Sequence, residues 1–209
     1  MYYGEKLNSI TSMVGAAFAL IALGSLLTVA VQIGTAVAII SFGTFGLSLI
    51  LLYSMSTFYH SVQEPRLKHM FMLLDHIAIY LLIVGTYTPF MLMTLQGANG
   101  ILIFSLVWAL AVIGIFTELF LSGLAVKIGQ LTIFLGMGWA CAIELDSLRE
   151  LLPAEGFFWL VTGGIAYTAG VVFYVLDEIN WLKHAHGIWH FFVMSGSVAH
   201  FISVIGFVR

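Results

Sequence analysis

The protein has 209 residues, a formal net charge of −3 and only 8% charged side chains, whereas 61% of its residues are hydrophobic. A soluble domain carries about 25% charged residues, so this composition excludes an ordinary water-soluble domain, a nucleic-acid binder with a basic face and a disordered chain. The seven histidines equal the lysines and arginines in number, which is unusual in a chain that avoids polar side chains. The lone Cys141 excludes a disulfide framework and a CxxC metal site.

Seven apolar runs are long enough to cross a bilayer, which requires about 20 residues per helix. In chain order they lie at 11–32, 36–60, 70–94, 101–121, 127–145, 157–176 and 186–207. The connections are short, and the sequence shows no internal repeat. We therefore predict an all-α, polytopic membrane protein in which residues 1–209 form a single domain of seven transmembrane helices. The first run is too long for a signal peptide and follows both Glu5 and Lys6, so we expect a retained helix.

The lysines and arginines predict the orientation of this bundle. On the side of the membrane where the N-terminus lies, the basic residues are Lys6, Arg66, Lys68, Lys127 and Lys183. On the other side of the membrane they are Arg149 and Arg209. Short loops rich in lysine and arginine remain in the cytoplasm. The N-terminus is therefore predicted to be cytoplasmic and the C-terminus to lie outside.

Three of the apolar runs contain histidine or aspartate, whose ionisable groups are costly at membrane depth and call for a function. Ser56 and His60 end the second run, Asp75 lies near the start of the third, and His186 and His190 begin the seventh. Residues four apart share one face of a helix, so each pair can point at a common partner. Because all five lie near the cytoplasmic end of their runs, we expect them to form one site.

Three neutral imidazoles and one open position are typical of a catalytic zinc site. In this hypothesis His60, His186 and His190 bind Zn²⁺, which lowers the pKa of a water molecule towards about 7. Asp75 orients that water or acts as a general base. Ser56, one turn before His60, either supports the site by a hydrogen bond or holds a substrate carbonyl.

The alternative metal centre is a bis-histidine haem. His60 with His186 or His190 would supply the two axial ligands, but Asp75 and the remaining histidine would then have no role. An HxxxH pair alone is weak evidence for a metal, and most histidines near helix ends reach water at the interface, as we expect for His69 and His184.

Three further polar residues are left outside the predicted ligand set. His76 points about 100° away from its neighbour Asp75 around the helix, and we expect it to support the site or to pack. Glu118 either reaches the interface or joins the polar site. His200 is expected to be structural, with a hydrogen bond to a neighbouring helix.

Several stretches, taken together and in this order, resemble the hemolysin III family of bacterial membrane proteins. That family belongs to the progestin and adipoQ receptor superfamily, which includes the adiponectin receptors, and it is more distantly similar to alkaline ceramidases. The matching stretches are residues 5–11 (EKLNSIT), 56–61 (STFYHS), 74–80 (LDHIAIY), 85–90 (GTYTPF), 163–167 (GGIAY), 170–174 (GVVFY) and 186–191 (HGIWHF). The chain departs from the family pattern at Ser12, where many bacterial members carry a histidine.

The resemblance implies a seven-helix bundle in the bacterial cytoplasmic membrane, with its N-terminus in the cytoplasm. It implies zinc near the cytoplasmic face on His60, His186 and His190, with Asp75 holding the zinc-bound water and Ser56 in the same pocket. It also implies hydrolysis of a ceramide-like amide or ester and a role in membrane lipid or fluidity homeostasis.

The first functional hypothesis is thus a zinc-dependent hydrolase whose partners are membrane lipids, which enter sideways between helices from the cytoplasmic leaflet. The second is a non-enzymatic sensor or regulator of the membrane state, in which zinc is structural. A haemolysin or pore-former is disfavoured by the apolar composition, and a proton-coupled transporter by the scarcity of mid-membrane carboxylates. We expect no nucleic-acid partner, and an oligomer is compatible with the sequence.

Overall fold

The computed structural model describes residues 4–209, and this part of the chain is almost entirely helical, without a strand. The eight α-helices are α1 (Lys6–Ile33), α2 (Ala36–Ser61), α3 (Pro65–Pro89), α4 (Ala98–Phe120), α5 (Leu124–Gly138), α6 (Leu145–Leu151), α7 (Ala154–Glu178) and α8 (Ala185–Phe207). A π-helical turn, Phe90–Thr94, continues α3, and a 3₁₀ turn, Ala140–Glu144, joins α5 to α6.

Seven helical segments of the described chain are long and apolar enough to cross a membrane, which confirms the predicted fold class. The segment formed by α5, the 3₁₀ turn and α6 counts as one of them and runs over Leu124–Leu151. Large apolar side chains also cover the outside of the bundle: Phe18, Ile21, Leu102 and Phe120 are all more than half exposed. Such a surface is stable only where the solvent is lipid.

Local sequence signals explain where two of the helices begin and end. α3 starts at Pro65, five residues before the apolar run, because the Glu64 carboxylate accepts hydrogen bonds from the backbone N–H groups of Arg66 and Leu67. Proline at the first helical position suits this cap, since its missing N–H would have no partner there. Pro89 ends the regular part of α3, and the π-helical turn follows it, as expected where proline removes a backbone hydrogen bond.

The helices pack mainly with their neighbours in the sequence: α1 with α2, α2 with α3, and α7 with α8. Contacts between α1 and α8 bring the two ends of the bundle together, and α4 and α5 extend the wall beyond α3. Two side-chain hydrogen bonds link the α5 segment to α7. Lys127 Nζ donates to Glu178 Oε2 over 2.7 Å, and Trp139 Nε1 donates to Thr168 Oγ1 over 3.0 Å. A cavity lies behind these two links.

Candidate metal centre

Three histidines meet at the end of the bundle where α1 begins, α2 ends and α8 begins. His60 is in the last turn of α2, and His186 and His190 are in the first two turns of α8. Their ring centroids lie 5.0 Å (His60 to His186), 5.1 Å (His60 to His190) and 4.8 Å (His186 to His190) apart. One nitrogen from each ring lies within 4.8 Å of the other two. The triad is therefore close enough to bind a single metal ion.

The Nδ1 atom of every ring in the triad has a hydrogen-bond acceptor. His60 Nδ1 donates to Glu5 Oε2 over 2.7 Å, and His186 Nδ1 donates to Asp177 Oδ2 over 2.9 Å. The direction is fixed because an ionised carboxylate only accepts. His190 Nδ1 lies 3.0 Å from Thr11 Oγ1. The Thr11 hydroxyl donates its own proton to backbone carbonyls of α1, so its oxygen accepts the hydrogen bond from His190 Nδ1.

The opposite nitrogen of each ring, Nε2, is buried and has no hydrogen-bond partner among the described residues. When Nδ1 carries the proton of a neutral imidazole, the lone pair is on Nε2. Three buried lone pairs that face one another without a donor are costly, and a cation between them removes that cost. Histidines that bind metal through one nitrogen and donate to a carboxylate or another oxygen through the other are the usual arrangement in metalloproteins. The residues present therefore fit a metal ion.

Glu5 sits just before α1 and ties this helix to the triad. The hydrogen bond from His60 lowers the pKa of Glu5 to about 2, against the opposing effect of partial burial, and Lys68 contributes further through its positive charge. Lys68 Nζ lies 3.4 Å from Glu5 Oε1 and stacks over the Tyr59 ring. Glu5 is therefore a carboxylate at any physiological pH and can always accept the His60 proton.

Asp75 and Ser56, the two predicted non-ligand residues, lie beside the triad. Both are buried, with 4% and 6% of their surface exposed. Asp75 neighbours Ser56 and interacts electrostatically with His60. The Ser56 hydroxyl in turn lies 2.9 Å from that of Ser12, which is 3.3 Å from His190 Nδ1. The serine at position 12 thus belongs to the hydrogen-bond network around the centre.

A cavity of about 170 Å³ begins at this polar cluster and extends into the bundle. Ser56, Asp75 and His190 line one end, and apolar side chains such as Leu52, Ile79, Phe134 and Val193 line much of the remainder. The cavity thus combines a polar end beside the triad with a largely apolar remainder.

The other histidines are placed as follows. His69 and His184 are exposed at helix ends. His76 pairs with the buried Glu118, with 2.5 Å between Nδ1 and Oε1, in the wall of the cavity and outside the triad. His200 donates from Nε2 to the backbone carbonyl of Leu160 in α7 over 3.1 Å, which agrees with the expected bond to a neighbouring helix.

Sequence reasoning missed the three Nδ1 acceptors. Glu5 and Thr11 are the first and last residues of the first stretch that matches the hemolysin III pattern. Nothing else in the sequence indicated that these two residues belong to the site. Asp177 lies nine residues before His186, across the α7–α8 connection. No helical spacing links either carboxylate to its histidine.

Comparison with known proteins agrees with this architecture. The family model described as "Haemolysin-III related" matches residues 2–201. "Hemolysin-3" of Bacillus cereus is 40% identical over 204 residues, which cover 98% of this chain and 91% of that protein. "Hemolysin-3 homolog" of Bacillus subtilis (strain 168) is 39% identical over 96% of this chain and 92% of its own length. The human "Monocyte to macrophage differentiation factor" is 28% identical over 77% of this chain and 67% of its own length.

Proposed function

This chain belongs to the hemolysin III family, and from that premise we propose that it is a zinc-dependent hydrolase of membrane lipids. The observation that carries the proposal is the set of three buried, unpartnered Nε2 atoms, each opposite a fixed Nδ1 proton, beside a buried carboxylate at the head of an apolar cavity. Such a centre unites metal ligands, an acid–base group and a place for a hydrocarbon chain.

Zinc is the metal that this ligand set favours. Neutral imidazoles suit zinc, and three protein ligands with an open position are the pattern of catalytic zinc sites. Haem would use two of the three rings and leave the third Nε2 buried without a partner, so the triad supports zinc over haem.

The mechanism assigns a separate task to each neighbouring side chain. When bound, zinc polarises a carbonyl group and lowers the pKa of a water molecule. Asp75 accepts a proton from the attacking water and returns it to the leaving nitrogen or oxygen. Ser56 holds the Asp75 carboxylate in place, and Glu5, Asp177 and Thr11 keep the three rings in the tautomer that presents Nε2 to the metal.

The proposed substrate is a membrane lipid with an amide or ester bond, ceramide-like in form. The apolar lining of the cavity supports a long hydrocarbon chain, and the polar end at Asp75 supports a single carbonyl group. We infer that the lipid enters sideways between α5 and α7, where the polar links Lys127–Glu178 and Trp139–Thr168 bridge the two helices. The products are a free fatty acid and the amine or alcohol formed from the leaving group, and their release contributes to membrane lipid and fluidity homeostasis.

The proposed location is the bacterial cytoplasmic membrane, with the metal centre near the cytoplasmic face. The basic residues at the triad end of the bundle support this sidedness. A reporter enzyme fused after Arg209 tests it: we expect activity only for a periplasmic or extracellular reporter, and activity of a cytoplasmic reporter would reverse the orientation.

A second candidate function is a membrane-state sensor in which zinc is structural. It is favoured by the fact that the triad and its Nδ1 acceptors tie four helices together: His60 belongs to α2, Asp177 to α7, both other rings to α8, and Thr11 to α1. Haemolysis, which the names of the Bacillus relatives suggest for those proteins, is a weaker candidate here, because a surface this apolar suits a protein that resides permanently in a bilayer.

One experiment separates hydrolase from sensor. Protein purified in detergent is expected to contain about one zinc ion per chain, as measured by mass spectrometry of the metal, and to hydrolyse a fluorescent ceramide. Asp75→Asn should retain zinc and lower turnover by a factor of about 10² to 10⁴, since a general base contributes that much. His190→Ala should lose both zinc and turnover.

Asp146→Asn is the matched control. Asp146 is an exposed carboxylate in α6, near the end of the fifth span that lies away from the triad, so this variant should behave as the wild type. A zinc-loaded wild type without turnover would leave the sensor as the function, whereas turnover that is unchanged in Asp75→Asn would reject Asp75 as the general base. Protein without zinc would contradict both candidates.

A further inference from the structure

His200 occupies a position that the proposed chemistry does not use. It lies in α8, ten residues after His190, and a helix rises 1.5 Å per residue, so the two rings are about 15 Å apart along the bundle. Both nevertheless line the same cavity. His200 also lines a second, smaller cavity of about 50 Å³, and the two cavities share Thr86, Tyr87, Gly138, Trp139 and Gly164 in their walls. His200 therefore stands where the two cavities adjoin.

The orientation of the His200 ring is fixed. Its Nε2 donates to the Leu160 carbonyl over 3.1 Å, and its Cδ2–Nε2 edge packs directly against Gly163 of α7, where even a methyl group would collide with it. The opposite edge of the ring, which carries Nδ1, consequently faces away from α7. Since Nε2 carries the proton of the neutral imidazole, Nδ1 carries a lone pair and can only accept a hydrogen bond.

That lone pair is buried and lacks a donor among the described residues. Four hydroxyl groups that line the larger cavity have other hydrogen-bond partners. Tyr53 Oη donates to Ser197 Oγ over 2.8 Å, and Tyr167 Oη is bonded to the same serine oxygen at 2.8 Å. Tyr87 Oη donates to the Gly138 carbonyl over 3.1 Å, and Thr86 Oγ1 donates to the Leu82 carbonyl. The cavity thus contains an acceptor for which the described residues supply no donor.

We propose that His200 forms a second polar subsite, in which Nδ1 accepts a hydrogen bond from a hydroxyl group carried part-way along the hydrocarbon chain of a lipid ligand. The proposal rests on the proposed function in one respect: the ligand's carbonyl or carboxylate end lies at the histidine triad. An extended chain advances about 1.2 Å per covalent bond, so a distance of 15 Å corresponds to about twelve bonds. The preferred ligand is a long-chain acyl group with a hydroxyl near its twelfth carbon, whose remaining carbons fill the second cavity.

The test compares three fatty acids as probes: octadecanoic, 12-hydroxyoctadecanoic and 6-hydroxyoctadecanoic acid. Binding to zinc-loaded protein in detergent is measured by isothermal titration calorimetry. We expect the 12-hydroxy acid to bind about threefold to tenfold more tightly than the other two, the range that one buried hydrogen bond gives. The 6-hydroxy isomer controls for the added polarity, and this comparison needs no variant.

His200→Gln is a second test, because the glutamine NH2 group can still donate to the Leu160 carbonyl from the position of Nε2, while no acceptor then remains at the position of Nδ1. We expect this variant to bind octadecanoic acid as the wild type does and to bind the two hydroxy isomers equally. Equal affinity of the isomers for the wild type, a preference that persists in His200→Gln, or no binding of any of the three acids would overturn the subsite.

Zinc content and ceramide turnover are measured on the same samples. Absent turnover together with a retained, His200-dependent preference would refute the hydrolase and leave the subsite standing. Normal ceramide turnover without a preference for the 12-hydroxy acid would refute the subsite and leave the hydrolase standing.

Discussion

Nothing in an isolated histidine decides which ring nitrogen carries the proton, and at the candidate metal centre the neighbouring residues decide it. Glu5, Asp177 and Thr11 each accept the Nδ1 proton of one ring. These acceptors leave the Nε2 lone pairs of all three rings directed at a common point. The two carboxylates also bring negative charge close to rings that would bind a dication, which raises their basicity as ligands.

Asp177→Asn should weaken zinc binding about tenfold to a hundredfold, the usual effect of losing a residue that supports a metal ligand. The asparagine oxygen can still accept from His186 Nδ1, so the ring keeps its orientation, while the negative charge is lost. Competition with a fluorescent zinc chelator measures the affinity.

Asp146→Asn, which removes the same charge far from the centre, should bind zinc as tightly as the wild type. Unchanged affinity in Asp177→Asn would show that the carboxylate only orients the ring.

The grouping of the histidines was predictable, because four-residue spacing in a helix places two side chains on one face. This spacing pairs His186 with His190, and His60 joins them because the second run ends at the same side of the membrane where the seventh begins. The Nδ1 acceptors were not predictable in this way. Glu5 and Asp177 precede or end their helices, and their partners are determined by how α1 packs on α2 and how the α7–α8 connection folds.

Close approach of α7 and α8 depends on small residues at their interface. Gly163 faces the His200 ring without space for a Cβ atom, whereas a Cβ at the adjacent Gly164 would come no closer than 3.9 Å to the Trp139 side chain. The two neighbouring glycines therefore have different roles, although the sequence alone presents them as a pair.

Gly163→Ala should destabilise the protein by about 1–3 kcal/mol, the cost of overpacking a tight contact. Gly164→Ala is the matched control. It should be neutral or stabilise by up to about 1 kcal/mol, because alanine favours the helix over glycine. Thermal unfolding in detergent measures both, and equal melting temperatures for the two variants would contradict the tight contact.

The course of the helices was predictable only in part. Hydropathy located seven spans, because about 20 apolar residues are needed to cross the bilayer. It did not reveal the π-helical turn after Pro89 or the 3₁₀ turn at Ala140–Glu144, since both are local departures in hydrogen bonding within an apolar stretch. Nor did it extend α3 back to Pro65, where the Glu64 cap and not hydrophobicity sets the start.

Metal binding should stabilise the bundle as a unit. A ligand that binds only the folded state at a thousand times its Kd adds about 4 kcal/mol, so a zinc chelator should lower the melting temperature of the wild type by several degrees. Zinc restored in excess should reverse the shift.

His190→Ala, which lacks one ring of the triad, should melt at the same temperature with or without the chelator. If the chelator leaves the melting temperature of the wild type unchanged, the ion does not stabilise the folded bundle.

The contact between Thr11 and His190 has a further consequence for how the protein is made. These residues are 179 positions apart, in the first and the last helix of the chain. While a ribosome is still delivering the later helices to the membrane, α1 and α2 are already present but the rings of α8 are not. The centre cannot exist until the last helix has been inserted and has closed against the first. Capture of an ion by the triad would therefore have to follow the insertion of α8, and chains truncated before α8 would reach the membrane without ever acquiring a metal.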